Sequence, residues 1–340
     1  MTDEGYFSGS QYDPETVRFF DVAHEGAHIR AIAAHIQHIS VVRGAEFRSI
    51  VILPTDQVAR ASAEMVVELI SPLAWPITIT DKLPHFVGPL DLVVVVGERS
   101  DAEWASLSLI TAARRGATSA LIGPTRGPLT EDAPEETLTF PTPPTAEGAS
   151  PSRYIAGLLA LLWSITDAEV IVEERLNELA DIADEELQQL SPEREATVNP
   201  GRALREFSAD ARVLHTASRF EQPADSPISI NVGMAVARCA ASIWTTRGLA
   251  GEFIEPELVP MVLERNQEGA AQKDIFYDPF LDGEKTLVPL KIIVWGQAES
   301  HLPHSLAMAC TETDHSDLVC AVQLLIRAYA ATAYDVLKED

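Results

Sequence analysis

Residues 90–98, LDLVVVVGE, carry four consecutive valines, Val93 to Val96, with no polar residue alternating between them. A strand with one solvated face alternates apolar and polar positions, so this run fits a strand covered on both faces, as in a parallel sheet. Such a strand needs helices before and after it to supply the covering layers. The flanking segments provide them. FRSIVILPT is a second short apolar run, and DQVARASAEMVVELIS after it has helical spacing with Asp56 as N-cap. WPITITD reads as a strand, SDAEWASLSLITAARRG as a helix opened by Ser/Asp and stopped by Gly, ATSALIGP as a strand, and ETLTFP as a further short one. A Pro-rich loop then leads into the apolar helix YIAGLLALLWSIT, and residues 15–43 form a leading helix. The order, helix then strands alternating with helices, predicts an α/β fold with parallel sheets in three layers.

The second half is an echo of the first. ARVLHTA (211–217) and PLKIIVWGQ (289–297) are its best strands, NVGMAVARCAASIWTTRG a helix and SDLVCAVQLLIRAYAATAYDVLKE a closing helix. We expect a degenerate repeat of one α/β unit. The predicted division is a first domain over 1–166, an acidic helical connector over 167–198 and a second domain over 199–340. The connector keeps its apolar residues (Val170, Val172, Leu176, Leu179, Ile182, Leu187) at helical spacing, which favours a packed helix over a loose linker.

Charge narrows the function. The chain has 340 residues and a formal net charge of −26. Nucleic acids and anionic membranes are bound by clustered Lys and Arg, so neither is an expected partner. An anionic ligand needs a local device such as arginines, a helix N-terminus or a hydroxyl-lined loop. No apolar run reaches the roughly 18 residues of a membrane span. The first residues, MTDEGYFSGSQYDPET, lack the basic and apolar parts of a signal peptide, and Cys239, Cys310 and Cys320 make no disulfide framework. The expectation is a cytoplasmic protein with reduced, core or half-buried thiols. Neither G-x-G-x-x-G nor G-x-x-x-x-G-K-[ST] follows a predicted strand, so no nucleotide cofactor is expected.

One motif points elsewhere. His24-Glu25-Gly26-Ala27-His28 fits H-E-x-x-H, the pattern that gives zinc two ligands and a general base on one helix. At about 100° per residue, His24, His28, His35 and His38 fall along one border of a stripe made by Ile29, Ile32, Ile36 and Ile39. A zinc peptidase would need Glu25 and a third ligand on that face, and Glu25 lies about 100° from His24. The expected role of the histidines is instead the rim of a dimer interface, sensitive to pH near 6; no metal is expected.

The segments GAHIRAIAAH, FVGPLDLVVVVGERSDAEW, AARRGATSALIGPTRGPL, SPSRYIAGLLALL, TVNPGRALREF and KDIFYDPFLDG together resemble the sugar isomerase (SIS) fold. Within it they are similar to the bifunctional phosphoglucose/phosphomannose isomerase family, in a divergent isomerase-like branch of high-GC Gram-positive bacteria. The resemblance implies two tandem SIS-type domains, a homodimer, and aldose–ketose isomerisation of a glucose or mannose 6-phosphate. In that family Ser/Thr loops at strand ends hold the phosphate, and an Arg of a Pro-Arg pair steadies the enediolate. A Glu moves the proton, and a His from the partner opens the ring. The first phosphate loop here reads LPTDQV, leaving Thr55 and Gln57. The second, VGERSDAEW, keeps Ser100 but adds Glu98 and Asp101, which would repel a phosphate. Pro151, Ser152 and Arg153 stand for the Pro-Arg pair. WTTRGLAGEFIEPEL replaces the segment carrying the proton-shuttling Glu, with Glu252, Glu255 and Glu257 nearby and Glu252 as candidate. The partner-supplied His motif is absent, and Lys338 is a stand-in for the family's terminal Lys. Non-catalytic binding of a sugar phosphate, or a regulatory role in mannose metabolism, is the alternative reading.

Each candidate also has an ordinary reading. Arg153 could be a surface residue at a helix start. Thr55 and Ser100 could be helix caps. Gly123, Thr125 and Arg126 could form an anion pocket or a Pro/Gly turn with a solvated Arg. Glu252 could be simply solvated.

Overall fold

The structure is a computed structural model that describes residues 13–144, 146, 148–217, 228–271, 288–310 and 316–336. Three short helices open it: α1 (Pro14–Val22), α2 (Glu25–Ala33) and α3 (Ile36–Ile39). Next come β1 (Ser49–Pro54), α4 (Gln57–Leu69), β2 (Ile77–Ile79), β3 (Asp91–Val96), α5 (Glu103–Arg114), β4 (Thr118–Ile122), α6 (Pro128–Glu131), β5 (Leu138–Thr139) and α7 (Pro151–Thr166). The long helix α8 (Glu169–Gln189) leads to α9 (Pro200–Phe207), β6 (Arg212–Ala217), α10 (Ile230–Thr246) and β7 (Glu252–Phe253). The last elements are α11 (Val259–Ala271), β8 (Leu290–Trp295), β9 (Ser305–Met308) and α12 (Asp317–Ala331).

Among the described residues all strands are parallel and fall into two sheets, ordered β2-β1-β3-β4-β5 and β7-β6-β8-β9. The second sheet thus repeats the strand order of the first four strands of the first. The valine run is explained by its two faces. Leu92, Val94 and Val96 point into the main core with Ile50 and Ile52, while Val93 and Val95 point into a second core with Val51 and Leu53 under α5. Every residue of β1 and β3 is buried, as a strand covered on both faces requires. The fold is α/β with parallel sheets in three layers, as the sequence predicts.

The leading helix differs from expectation. The predicted single helix over 15–43 is three helices and a 3-10 turn (Ser40–Val42), interrupted at Ala23–His24 and Ala34–His35. At both breaks the backbone closes an i to i−3 hydrogen bond, His24 N–H to Asp21 O and His35 N–H to Ile32 O. Such tightened turns redirect the axis. They let Ile29, Ile32, Ile36 and Ile39 all stay buried as the chain curves round α7 and α8. Helix α5 starts at Glu103 behind Ala102, with no side-chain cap, instead of at the expected Ser/Asp. The closing helix ends at Ala331.

Helix α8 is packed along α2, with Val172, Leu176, Leu179, Ala180 and Ala183 buried and Arg30 paired to Asp181 and Asp184. A buried pair, Glu186 with Arg327 at 2.6 Å, ties it to α12. Helices α4 and α10 pack on each other and join the two sheets' layers, with Ser62 Oγ 3.7 Å from Cys239 Sγ. This packing brings the first turn of α4, with Gln57 and Arg60, to one cavity with Glu252 and Phe253 of β7.

Candidate functional site

Ligands of open α/β sheets gather outside the C-terminal ends of the strands, and there the chain builds a cavity of about 760 Å³. Thr55 ends β1. Its N–H bonds Val96 O at 2.7 Å, and its hydroxyl accepts the Arg99 N–H at 3.4 Å. Asp56 caps α4 by accepting the Ala59 N–H at 2.8 Å, and its other oxygen accepts the Glu98 N–H at 2.9 Å. One carboxylate therefore holds the loops after β1 and β3 together. Gly97 makes this approach possible. Its φ is +126°, and a Cβ there would collide with Thr55 Oγ1 and lie 2.5 Å from Asp56 Oδ2. Gln57, Arg60, Lys82, Arg99 and Trp104 complete the rim. Arg60 pairs with exposed Asp81, and Arg99 lies 3.7 Å from Asp101.

A second cavity, about 440 Å³, opens between α4 and the α10–β7 edge. Gln57 and Arg60 line both cavities, so the two adjoin. Facing them are Arg238, Ser242, Glu252 and Phe253, with the Arg238 guanidinium 4.6 Å from the Phe253 ring centre. Gln57 Nε2 reaches Ser242 Oγ at 3.4 Å. Glu252 is exposed on the short edge strand β7.

Arg153 is not at a cleft edge. It is fully buried in the first turn of α7, whose N-cap Ser150 accepts its backbone N–H at 3.1 Å. Its guanidinium donates to Glu98 Oε1 at 2.5 Å, Gly123 O at 2.7 Å, Phe140 O at 2.9 Å and Pro141 O at 3.1 Å. The side chain is a clamp on the loops after β3, β4 and β5. Burial pushes its pKa down, against the opposing pull of Glu98. Burial, with Asp56 adding to it, raises the Glu98 carboxyl to about 6, and Arg153 offsets only part of that. Both partners are thus penalised by burial, as expected of an ion pair taken out of water. Glu98, set against a phosphate in the sequence reading, is the counter-charge of Arg153.

The other candidates disperse. Ser100 is half-buried, and its carbonyl accepts the Leu129 N–H at 2.9 Å, so it braces α6 and lines neither cavity. Thr125 and Arg126 are exposed in the turn before α6 and also line neither. Lys338 and KDIFYDPFLDG lie outside the described residues. Among the expected binding residues, the structure brings together Thr55, Gln57 and, across the cleft, Glu252. It adds Arg60, Lys82, Arg99, Trp104 and Arg238, which the sequence did not single out, and Asp56, which the sequence marked only as a helix cap. Only Arg60 left a usable trace, one turn after the cap Asp56 on the helix that follows β1.

The H-E-x-x-H motif straddles a helix break. His24 lies in the turn before α2, with Nδ1–H donating to Phe20 O at 2.7 Å and its ring 4.4 Å from that of Phe20. Glu25 points inward instead. It is fully buried, and its Oε2 accepts the Ser152 N–H at 2.9 Å at the start of α7. Burial raises its pKa, and Oε1 has no hydrogen-bond partner among the described residues. His28 is buried too, pushed down to about 3 by burial and then by Arg153. His35 and His38 stack on each other at 4.3 Å. The expected histidine border is therefore split into a turn residue, a core residue and a stacked pair. Among the described residues no group of three or more His, Cys, Asp or Glu is placed to hold a metal ion.

Comparison with solved structures shows the same architecture elsewhere. The C-terminal domain of glucosamine-fructose-6-phosphate aminotransferase from Francisella tularensis matches with a TM-score of 0.57 at 11% identity, covering 95% of this chain and 96% of that one. Tagatose-6-phosphate ketose/aldose isomerase from Escherichia coli matches with a TM-score of 0.59 at 13% identity, covering 95% of each chain. At such identities the likeness shows the fold. No family model matches the chain, and no curated protein does.

Proposed function

We propose that the chain binds a sugar phosphate in the 760 Å³ cavity at the C-terminal ends of β1 and β3. The observation that carries this is the convergence of Arg60, Lys82 and Arg99 with the N-terminus of α4 on one cleft of a chain with net charge −26, where a phosphate would take over Arg60 from the exposed Asp81 and lie beside the cap Asp56. Fixed cations and helix N–H groups are the local device a phosphate needs on such a surface. The similarity of fold to proteins named for fructose 6-phosphate and tagatose 6-phosphate chemistry supports the same ligand class. Glucose and mannose 6-phosphate are the specific candidates, with residues 1–166 and 199–340 as the two domains and a homodimer as the assembly.

Binding is favoured over turnover because Arg153, the group expected to steady an enediolate, spends its donors on Glu98 and three carbonyls. Aldose–ketose isomerisation is the second reading, favoured by Glu252 facing Gln57 and Arg60 across the adjoining cavity. A carboxylate there could move a proton between neighbouring carbons of a sugar reaching from one cavity into the other. Melting curves with glucose, mannose and fructose 6-phosphate, each against the free sugar and inorganic phosphate, test the binding. A ligand that prefers the folded state raises Tm. The expected rise is lost in Arg60→Ala and Lys82→Ala; no rise with any sugar phosphate overturns the proposal. A coupled assay of the same three compounds separates binding from isomerisation.

A further inference from the structure

The 440 Å³ cavity beside the proposed phosphate site is a groove between two helices. Helix α4 lines it with Gln57, Arg60, Ala61 and Glu64. Helix α10 lines it with Arg238, Ala241, Ser242 and Thr245. Each set keeps the i, i+3, i+4, i+7 spacing of one helix face. Ala61 and Ala241 stand in the middle of these faces, and their small side chains leave the space open. The helices run antiparallel, because Gln57 reaches Ser242 while Ser62 meets Cys239. That register puts Gln57, Ser242 and Thr245 at the end shared with the larger cavity, and Arg238 opposite Glu64 at the far end. Gln57 and Glu64 are seven residues apart, about 10 Å along the axis at about 1.5 Å per residue.

Arg238 is half-buried, with its guanidinium 4.6 Å from the Phe253 ring centre. Stacking on an aromatic face occupies the plane of the group and leaves the N–H donors at its edge for a bidentate acceptor. Glu64 and Glu252 line the same groove, yet among the described residues no carboxylate forms an ion pair with Arg238. In a chain with 51 acidic residues against 25 Lys and Arg, that leaves this guanidinium to a ligand. Glu252 is exposed and Glu64 half-buried, so water and salt screen their repulsion of an incoming anion. With Gln57 and Ser242 they also offer acceptors to the hydroxyl groups of a sugar lying between the two charged ends.

We propose that the two cavities together take a hexose bisphosphate, with one phosphate at the N-terminus of α4 and the second on Arg238. Arg238 is then the residue that selects bisphosphates over monophosphates, which fill the first end alone. This rests on the phosphate site proposed above and adds the class of ligand to it. A guanidinium fork binds carboxylate and phosphate alike. The span favours phosphate, because an ester oxygen carries the charge one atom further from the sugar than a carboxylate carbon at the chain end.

Titration calorimetry on the full chain, at one fixed ionic strength, compares glucose 6-phosphate with glucose 1,6-bisphosphate. The bisphosphate is expected to bind about tenfold tighter, the scale of one hydrogen-bonded contact between charged groups. Arg238→Met keeps the stem of the side chain and removes the fork. It should bring the bisphosphate down to the affinity of the 6-phosphate and leave the 6-phosphate unchanged. Arg114→Met, at the exposed end of α5, removes the same charge elsewhere and should keep the tenfold preference. Phe253→Leu loosens the guanidinium without deleting it and should lose part of the preference, a second readout if Arg238→Met does not fold. A bisphosphate no tighter than the 6-phosphate, or a preference that survives whole in Arg238→Met or Phe253→Leu, overturns the selection by Arg238 and leaves the monophosphate site standing. Binding of neither compound removes the phosphate site itself, and the bisphosphate reading with it.

Discussion

Replacing Arg153 by Met distinguishes a clamp from a ligand-binding group. The substitution keeps an unbranched buried side chain but strands Glu98 and removes donors from the carbonyls of Gly123, Phe140 and Pro141. Breaking a buried ion pair by deleting one partner costs about 3–5 kcal/mol. Each buried acceptor left unpaired adds about 1–3 kcal/mol. The Glu98 side chain is 17% exposed, so water relieves part of this. Taking the lower end of each, the net expectation is a loss of about 6 kcal/mol at pH 8, against a total stability of about 5–15 kcal/mol for a folded protein. The loss carries a pH signature. Glu98 titrates at about 6 in the folded chain, above its ordinary 4.5, because of burial. A carboxyl with a raised folded pKa contributes stability that is present at low pH and lost as pH rises through the folded value. Without Arg153 that folded value rises further, so the loss should be smaller at pH 5 than at pH 8. Glu98→Gln combined with Arg153→Met should recover about 2 kcal/mol at pH 8, because no charge is left stranded. Urea unfolding followed by tryptophan fluorescence at both pH values is the assay. If Arg153→Met has unaltered stability at pH 8 but sugar phosphates no longer raise its Tm, the clamp argument is wrong and Arg153 handles ligand.

Three further outcomes follow from the same structure. His28 and His215 are buried and pushed down to about 3 by burial, below the 6.5 of the unfolded chain; unfolding therefore takes up protons, and each should cost about 2 kcal/mol between pH 7 and pH 5. His28→Leu should lower that slope in urea titrations, and an unchanged slope refutes the assignment. Gly97→Ala should destabilise by about 3 kcal/mol, since it strains a positive φ and drives a Cβ against Thr55 and Asp56; a variant with native Tm would show that the two loops are not so tightly joined. Glu252→Gln, on an exposed edge strand, should alter stability by less than about 0.5 kcal/mol while abolishing any hexose-phosphate isomerisation; full turnover in this variant removes Glu252 from the chemistry.

Much of the fold was legible because local pattern and global packing agree. The valine run of β3, the cap at Asp56 and the helical spacing of α4, α5 and α8 are local signals with one outcome. The 3-10 turns that break 15–43 were hidden because no Gly or Pro marks them; they arise from wrapping the isoleucine stripe round α7 and α8. The short strands β7 and β9 and the four-residue helix α6 carry too few residues to show a period that stands out from their loops.

The site was less legible, since its members meet only in three dimensions. Thr55 and Gln57 were readable from their place after a strand, and Glu252 from its neighbourhood in sequence. Burial decided the rest. Spacing alone shows Glu25 beside His24 in a zinc pattern, but packing turns Glu25 inward to Ser152 and leaves His24 in a turn. Nothing in the order of residues tells whether an Arg at a helix start faces solvent or three strand ends; the desolvation of Arg153 and its pairing with Glu98 are properties of the assembled layers. By itself, then, the sequence determined the parallel α/β layers, through the periodicity of apolar side chains. Only the tertiary structure decided which charges are spent inside the fold and which remain for a ligand, because the interaction energy of a charge depends on its distance from partners and from water.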